Sequence, residues 1–392
     1  MPSFGGALRS EWMLDPSITY LNHGTVGAPP RRVLVAQQAL RDEIEHQPAQ
    51  FLLRELADTD GTGIPPHPRM RQAAARVATF VNADVADLAF VDNATTGANA
   101  VLRSFAFARG DEILVTSLGY GGVTNAAHYA AHRAGATVRT VPMPAPGAPP
   151  GAFADAIEEA IGPLTRLVLV DHITAETALV LPVADIAARC HAKGVRVLVD
   201  GAHAPGAVAL DIASLGADWY VGNLHKWAWT PRSAGLLWAT RDAQNDLHPT
   251  VISWGYGNGL AAEFDLLGTR DPTPFLTAPA ALDLLDHYGF ADVCAYNHGL
   301  AVDAGRLLAD RWQVEFTTPH DMIGTMVNVR LPAAFGNTRE HASALRAALH
   351  DIDRFEVPIY PGERTLSVRL SAQVYVDLAD IERFAEAVLA RR

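Results

Sequence analysis

From residue 88 to residue 239 the chain repeats one pattern, a short apolar run followed in several places by a longer amphipathic stretch. Short runs rich in Val, Ile, Leu and aromatic residues read as strands buried on both faces. Longer stretches that are apolar every three or four positions read as helices. The strands fall at 88–91 (LAFV), 112–116 (EILVT), 137–142 (TVRTVP), 166–171 (RLVLVD), 195–200 (VRVLVD), 219–222 (WYVG) and 234–239 (AGLLWA). Alternation of this kind predicts βαβ units and an α/β fold built on a mainly parallel, seven-stranded sheet. One of the helices, at 183–194, ends in Lys193 and Gly194, a basic last turn and a C-cap. The Pro/Gly-rich stretch 142–153 is a surface loop rather than a linker, because the alternation resumes unchanged after it.

After about residue 275 the pattern changes. A long helical stretch (277–311) is followed by strand-like WQVEFTT (312–318) and TMVNVRLP (325–332), and by a helix near 338–350. VPIYPG (357–362), TLSVRLS (365–371) and a last helix near 377–391 complete the chain. Helices with a few strands predict a smaller α+β domain. The expected division is a large domain at 15–275 and a small one formed by 1–14 with 276–392.

Composition narrows the classes. A chain of 392 residues, 49% hydrophobic and 19% charged, can bury a large core. Its 31 basic against 43 acidic residues give a net charge of −12 without a basic cluster, which argues against a nucleic-acid partner. The absence of an apolar run of about 18 residues, and of a basic head before an apolar segment, argues against a membrane partner or export. The two cysteines, Cys190 and Cys294, stand far apart and outside any CxxC or Cys/His spacing. Neither a disulfide framework nor a metal site is indicated, and a cytoplasmic setting is expected.

In an open parallel sheet, ligands bind beyond the carboxyl ends of the strands. The polar residues placed there are Asp92 and Asn93, Ser117 to Tyr120, Asp171 and His172, Asp200, and Asn223 to Lys226. Only two residues are lysines, Lys193 and Lys226, against twenty-nine arginines. Lysine, unlike arginine, becomes a neutral amine when buried, and so can serve as nucleophile or base. Lys193 is explained by capping; Lys226 follows an apolar strand and is the candidate Schiff-base lysine, although a lysine snorkelling from an apolar edge is the bland alternative. Asp200 closes VRVLV and needs a cationic partner, for which the protonated ring nitrogen of pyridoxal phosphate is suited; a turn-capping Asp is the alternative. The segment DNATTGANAVLRSF (92–105) places Asn, Thr and Gly at a strand-to-helix junction, a phosphate cradle or an ordinary N-cap. It is neither GxGxxG nor a Walker loop, which speaks against dinucleotides and nucleoside triphosphates.

In the order DNATTGANA, DGAHAPG, GNLHKW and LGTRDPTPF, flanked by YLNHGTVGAPP and VRLSAQVYV, the chain resembles the class V aminotransferase family of fold-type I pyridoxal-phosphate enzymes. Within that family it is most similar to isopenicillin N epimerase-like members. The resemblance implies that Lys226 holds the cofactor, Asp200 faces its ring nitrogen and His203 its phenolic oxygen. Thr95, Thr96, Asn223 and His225 match phosphate-holding positions. Thr269 and Arg270 match a segment that reaches the neighbouring subunit's cofactor, which implies a homodimer. Tyr120 stands where an aromatic ring covers the cofactor, and Arg369 where an arginine grips the substrate carboxylate. Asn22 and His23 resemble a loop that closes over the substrate. As plain sequence, Tyr120 also fits a mobile loop, Arg369 an exposed strand, and Asn22 and His23 a turn before Gly24.

Glu176 is a departure, since a small or amide residue is expected there. Cys294 sits in a helical pattern, which argues against persulfide-forming desulfuration. The implied function is chemistry at the α-carbon of a small amino-acid substrate, with Lys226, Asp200 and Tyr120 as catalytic residues. Epimerisation or racemisation is the main expectation. C–S β-elimination on an S-substituted cysteine and transamination are alternatives, and a pyridoxal-phosphate-binding regulatory module is the non-enzyme reading.

Overall fold

A computed structural model describes residues 4–57 and 68–392. Seven strands form the central sheet: β2 (Leu88–Val91), β3 (Glu112–Thr116), β4 (Thr137–Val141), β5 (Thr165–Asp171), β6 (Arg196–Gly201), β7 (Trp219–Asn223) and β8 (Gly235–Ala239). They follow β1 (Thr19–Tyr20), which lies outside this sheet, and their spatial order is β2-β8-β7-β6-β5-β3-β4. β8 pairs antiparallel with both β2 and β7, and the remaining pairs are parallel. Every residue of β2, β7 and β8 is buried. Helices on the two faces account for this, and for the continuous apolar runs in the sequence. The sheet is the α/β, mainly parallel one expected, and its polar strand ends share one edge.

A second, antiparallel sheet is made of β9 (Met326–Arg330), β12 (Ser367–Ser371) and β11 (Ile359–Tyr360), in the order β11-β12-β9. β10 (Phe355–Glu356) pairs in parallel with β1. Leu8, Trp12, Leu21 and Val33 are buried in the same apolar cluster as Leu345, Val368 and Phe384. The amino-terminal segment therefore packs with the carboxyl-terminal elements.

Two expectations for the carboxyl-terminal region need correction. The helical stretch near 277–311 is two helices, Ala278–Tyr288 and Phe290–Trp312. Gly289 between them has φ +81°, a left-handed conformation that breaks the hydrogen-bond ladder. The segment 312–318 is not a strand. Trp312 ends the helix, Gln313 caps it, and Phe316 lies so close over Gly305 that a Cβ there would overlap its ring. An alternating pattern becomes a strand only where a neighbour's edge is free to pair, and this one is held against a helix instead.

Candidate active site

The carboxyl ends of β2, β5, β6 and β7 frame a cavity of about 600 Å³. The sheet register sets its floor, because Asp171 at the end of β5 lies directly opposite Asp200 on β6. Close approach of backbone closes the rest. A Cβ at Gly97 would press into Val221, so the helix Ala94–Ser104 lies tight against β7 and brings its N-terminus to the cavity. Gly27, at φ +68°, lets the 22–27 segment touch the His225 carbonyl, where any Cβ would collide. Three residues after Lys226, Trp229 is held at φ +61° by edge contacts with Trp12 at 5.6 Å and Tyr288 at 5.8 Å. A strained residue persists only where surrounding packing over-determines it, and here it pins the turn that carries the lysine.

Lys226 lines this cavity, half-buried, with its Nζ 3.1 Å from His203 Nε2. Burial first, and the charge of Arg369 second, push its amine down to about 8, against the pull of Asp200 and Asp171. Its two neighbouring histidines are shifted the same way. Burial and then Lys226 hold His203 well below the ordinary value, and burial lowers His225 to about 4 although its Nδ1 bonds the Ala234 carbonyl at 2.8 Å. A neutral His225 donates from Nδ1 and leaves Nε2 as an acceptor.

Asp200 is buried, and only its Oδ1 is engaged, by the Ala202 N–H at 3.0 Å. Among the described residues its Oδ2 has no hydrogen-bond partner, and neither has Nδ1 of His203. Burial raises the Asp200 carboxyl, and burial together with Asp200 raises Asp171 well above the carboxylate range. A buried carboxylate oxygen without a donor is costly, so a positively charged ring N–H fits this position. Asp200, His203 and Lys226 in one cavity, with two unpartnered polar atoms between them, suit a pyridoxal ring and its aldehyde.

The phosphate end is more selective than the sequence suggested. The N–H of Ala94 is capped by Asn223 Oδ1 at 2.9 Å, and that of Thr96 by Asn93 Oδ1 at 2.9 Å. The Thr96 hydroxyl is also turned to Asn93, at 3.2 Å. Among the described residues, the Thr95 amide and hydroxyl and the Asn223 side-chain N–H remain to meet an anion at this helix N-terminus.

Arg369, on β12, is buried and lines the same cavity. Its guanidinium donates to Thr25 Oγ1 at 2.6 Å, to Asn22 Oδ1 at 3.5 Å and to the Ala175 carbonyl, and lies 5.8 Å from the Tyr360 ring centre. Among the described residues its Nε is without a partner. Asn22 in turn donates to Glu356 at 2.9 Å. Thr25 and Tyr360 were not singled out in the sequence, where nothing marks a threonine two residues past a histidine or a tyrosine on a two-residue strand.

Other expected residues are placed apart. His23 is fully buried, bonded through Nδ1 to the Tyr375 hydroxyl and through Nε2 to the Lys226 carbonyl, both at 2.9 Å. It does not line the cavity. Tyr120 does, with 48% of its surface exposed. Thr269 and Arg270 line a different cleft with Leu52, Trp254 and Asp265. There Arg270 reaches Asp92 at 3.3 Å. Cys294 is partly buried in its helix, and burial pushes its thiol up to about 12. Among the described residues no cluster of His, Cys, Asp or Glu could hold a metal, and no helix is long and apolar enough to cross a membrane.

Comparison with known proteins finds relatives along nearly the whole chain. A rice (Oryza sativa subsp. japonica) protein named provisionally as L-cysteine desulfhydrase 1 is 34% identical over 410 residues, covering 95% of this chain and 83% of its own. Isopenicillin N epimerase of Streptomyces clavuligerus is 31% identical over 398 residues, covering 97% and 96%. The solved structure of the cystine C–S lyase C-DES with its product cysteine persulfide shares the fold, with a TM-score of 0.78 at 23% identity over 95% of this chain and 97% of that one. Residues 66–384 match the family Aminotransferase class-V. The chain therefore belongs to that family and is a pyridoxal-phosphate-dependent enzyme.

Proposed function

We propose that the protein is a C–S lyase acting on L-cysteine or an S-substituted L-cysteine. Epimerisation, the main expectation from the sequence, becomes the second reading. Bound pyridoxal phosphate supplies an electron sink beside the substrate α-carbon. Asp200 keeps the ring nitrogen protonated. Thr95 and Asn223 hold the phosphate, and Arg369, oriented by Thr25 and Asn22, holds the substrate carboxylate. The Lys226 amine, already inclined to be neutral near pH 8, takes the α-proton. The Cβ–S bond then breaks with its electron pair on sulfur. Hydrolysis of the enamine left behind yields pyruvate and ammonia.

Two considerations support elimination over inversion. A thiolate leaves without a proton donor, because thiols ionise near pH 8.5. Inversion needs a second donor on the face opposite Lys226, and His23 has both ring nitrogens engaged. The higher identity of the rice relative, 34% against 31%, points the same way. The observation that carries the reading is the pairing of Lys226 with an unpartnered Asp200 oxygen in one cavity. The epimerase reading survives on Tyr120, whose ring lines the cavity from an exposed position. Incubation with L-cysteine in D2O separates the two. Sulfide and pyruvate in equal amounts are expected; α-deuterated D-amino acid without sulfide would overturn the proposal.

A homodimer is part of the same reading. Thr269 and Arg270 stand in a cleft apart from their own Lys226, beside Trp254, which is 87% exposed. A segment so placed serves the partner's cofactor. The two free cysteines accord with a reducing, cytoplasmic location.

A further inference from the structure

We propose that Glu176 is a second recognition group of this site, selecting substrates whose side chain ends in a positive charge. The inference rests on the reading of the cavity as an amino-acid site and adds the class of side chain it takes. Glu176 lines the cavity and is exposed at its rim, while the other two acids there, Asp171 and Asp200, are buried at the floor. Among the described residues its carboxylate has neither a hydrogen bond nor an ion pair, although its charge acts on both Arg369 and Tyr360. An acid without a partner near a buried guanidinium is not there to neutralise it.

The backbone that carries this carboxylate is also held in place. Its loop is closed by the bridge between Ile173 and Val180 and by Thr174, whose hydroxyl bonds Thr177 at 2.7 Å and the Leu179 N–H at 2.8 Å. The carbonyl of Glu176 accepts from Asn328 at 2.9 Å, and the carbonyl before it, of Ala175, accepts from Arg369. The guanidinium proposed to take the α-carboxylate thus fixes the segment that carries Glu176. With the α-carboxylate on Arg369 and the α-amine toward Lys226, the side chain is left to run past Tyr360 toward the rim. A cationic tail meets Glu176 there, and an anionic tail is repelled.

The test uses the holoenzyme and two matched pairs. S-(2-aminoethyl)-L-cysteine and S-propyl-L-cysteine report turnover; L-lysine and L-2-aminoheptanoic acid, which carry no leaving group, report binding through the cofactor's absorbance. The cationic member of each pair is expected to be favoured about fivefold, the size of one exposed charge pair, with the preference shrinking as salt rises. In Glu176→Gln the ratio falls to about one, and in Glu176→Lys it inverts. An unchanged ratio in Glu176→Gln, or an equal loss for both members, overturns the proposal. Should no cysteine derivative be cleaved, the lyase reading fails while the lysine-to-aminoheptanoate ratio still decides Glu176.

Discussion

The surroundings of the two lysines, one at a helix end and one at the mouth of the sheet, show how far position remakes a residue type. Lys193 follows the helix Val183–Ala192 as its cap, with its amine 2.7 Å from the Glu158 carbonyl and 3.9 Å from that residue's carboxylate. Lys226 sits among Asp200, His203 and Arg369, without a carboxylate in ion-pair reach among the described residues, and burial moves its amine toward neutrality. The first lysine can be any cation, because helix-end carbonyls and a solvated carboxylate ask only for positive charge. The second needs an amine that can lose its proton, which arginine does not offer.

Several changes would break or sharpen this contrast. The largest effect is expected for Lys226→Ala, with loss of at least about a thousandfold in kcat for sulfide release and disappearance of the lysine-bound cofactor's visible absorbance. Lys193→Ala should leave both unaltered and shift stability within about 0.5 kcal/mol. Next comes Asp200→Asn, which removes the charge that keeps the ring nitrogen protonated. A fall of about a hundredfold in kcat is expected, of the order seen when one preorganised electrostatic group is removed. Retention of full activity would mean that the unpartnered Oδ2 does not face the ring.

The smallest effect is in stability against pH, read on the cofactor-free protein. Lys226 is depressed to about 8 in the folded chain against about 10.4 when unfolded. Between these values the unfolded chain binds more protons, so stability rises with pH across that window and is penalised below it. Urea denaturation from pH 7.5 to 10.5 should show this rise diminished in Lys226→Met and unaltered in Lys193→Met. Equal slopes in both variants would remove the physical basis for distinguishing the two lysines.

The large sheet was legible because its strands are buried on both faces and therefore appear as unbroken apolar runs. The carboxyl-terminal region was less so. WQVEFTT has a strand's alternation yet lies on a helix, since pairing depends on which edge is free and not on the segment itself. Asp200 and Lys226 stood out by residue type and by place after apolar runs. Thr25 and Tyr360 did not, because they meet Arg369 across long sequence separations with nothing local to mark them. Thr96 looked equal to Thr95, and only the position of Asn93 shows that its hydroxyl is already engaged.

By itself, the order of residues determined that this chain folds around a mainly parallel sheet and sets a lysine and an aspartate at its strand ends. Both follow from local pattern: hydrophobic period and run length specify elements, and residue type limits the chemistry at their tips. Only the tertiary structure decided that His23 is locked away from the cavity, that Arg369 is braced by Asn22 and Thr25, and that Glu176 stands unpaired at the rim. Those outcomes depend on which distant segments come within hydrogen-bond reach, a property of packing that no local stretch of sequence contains.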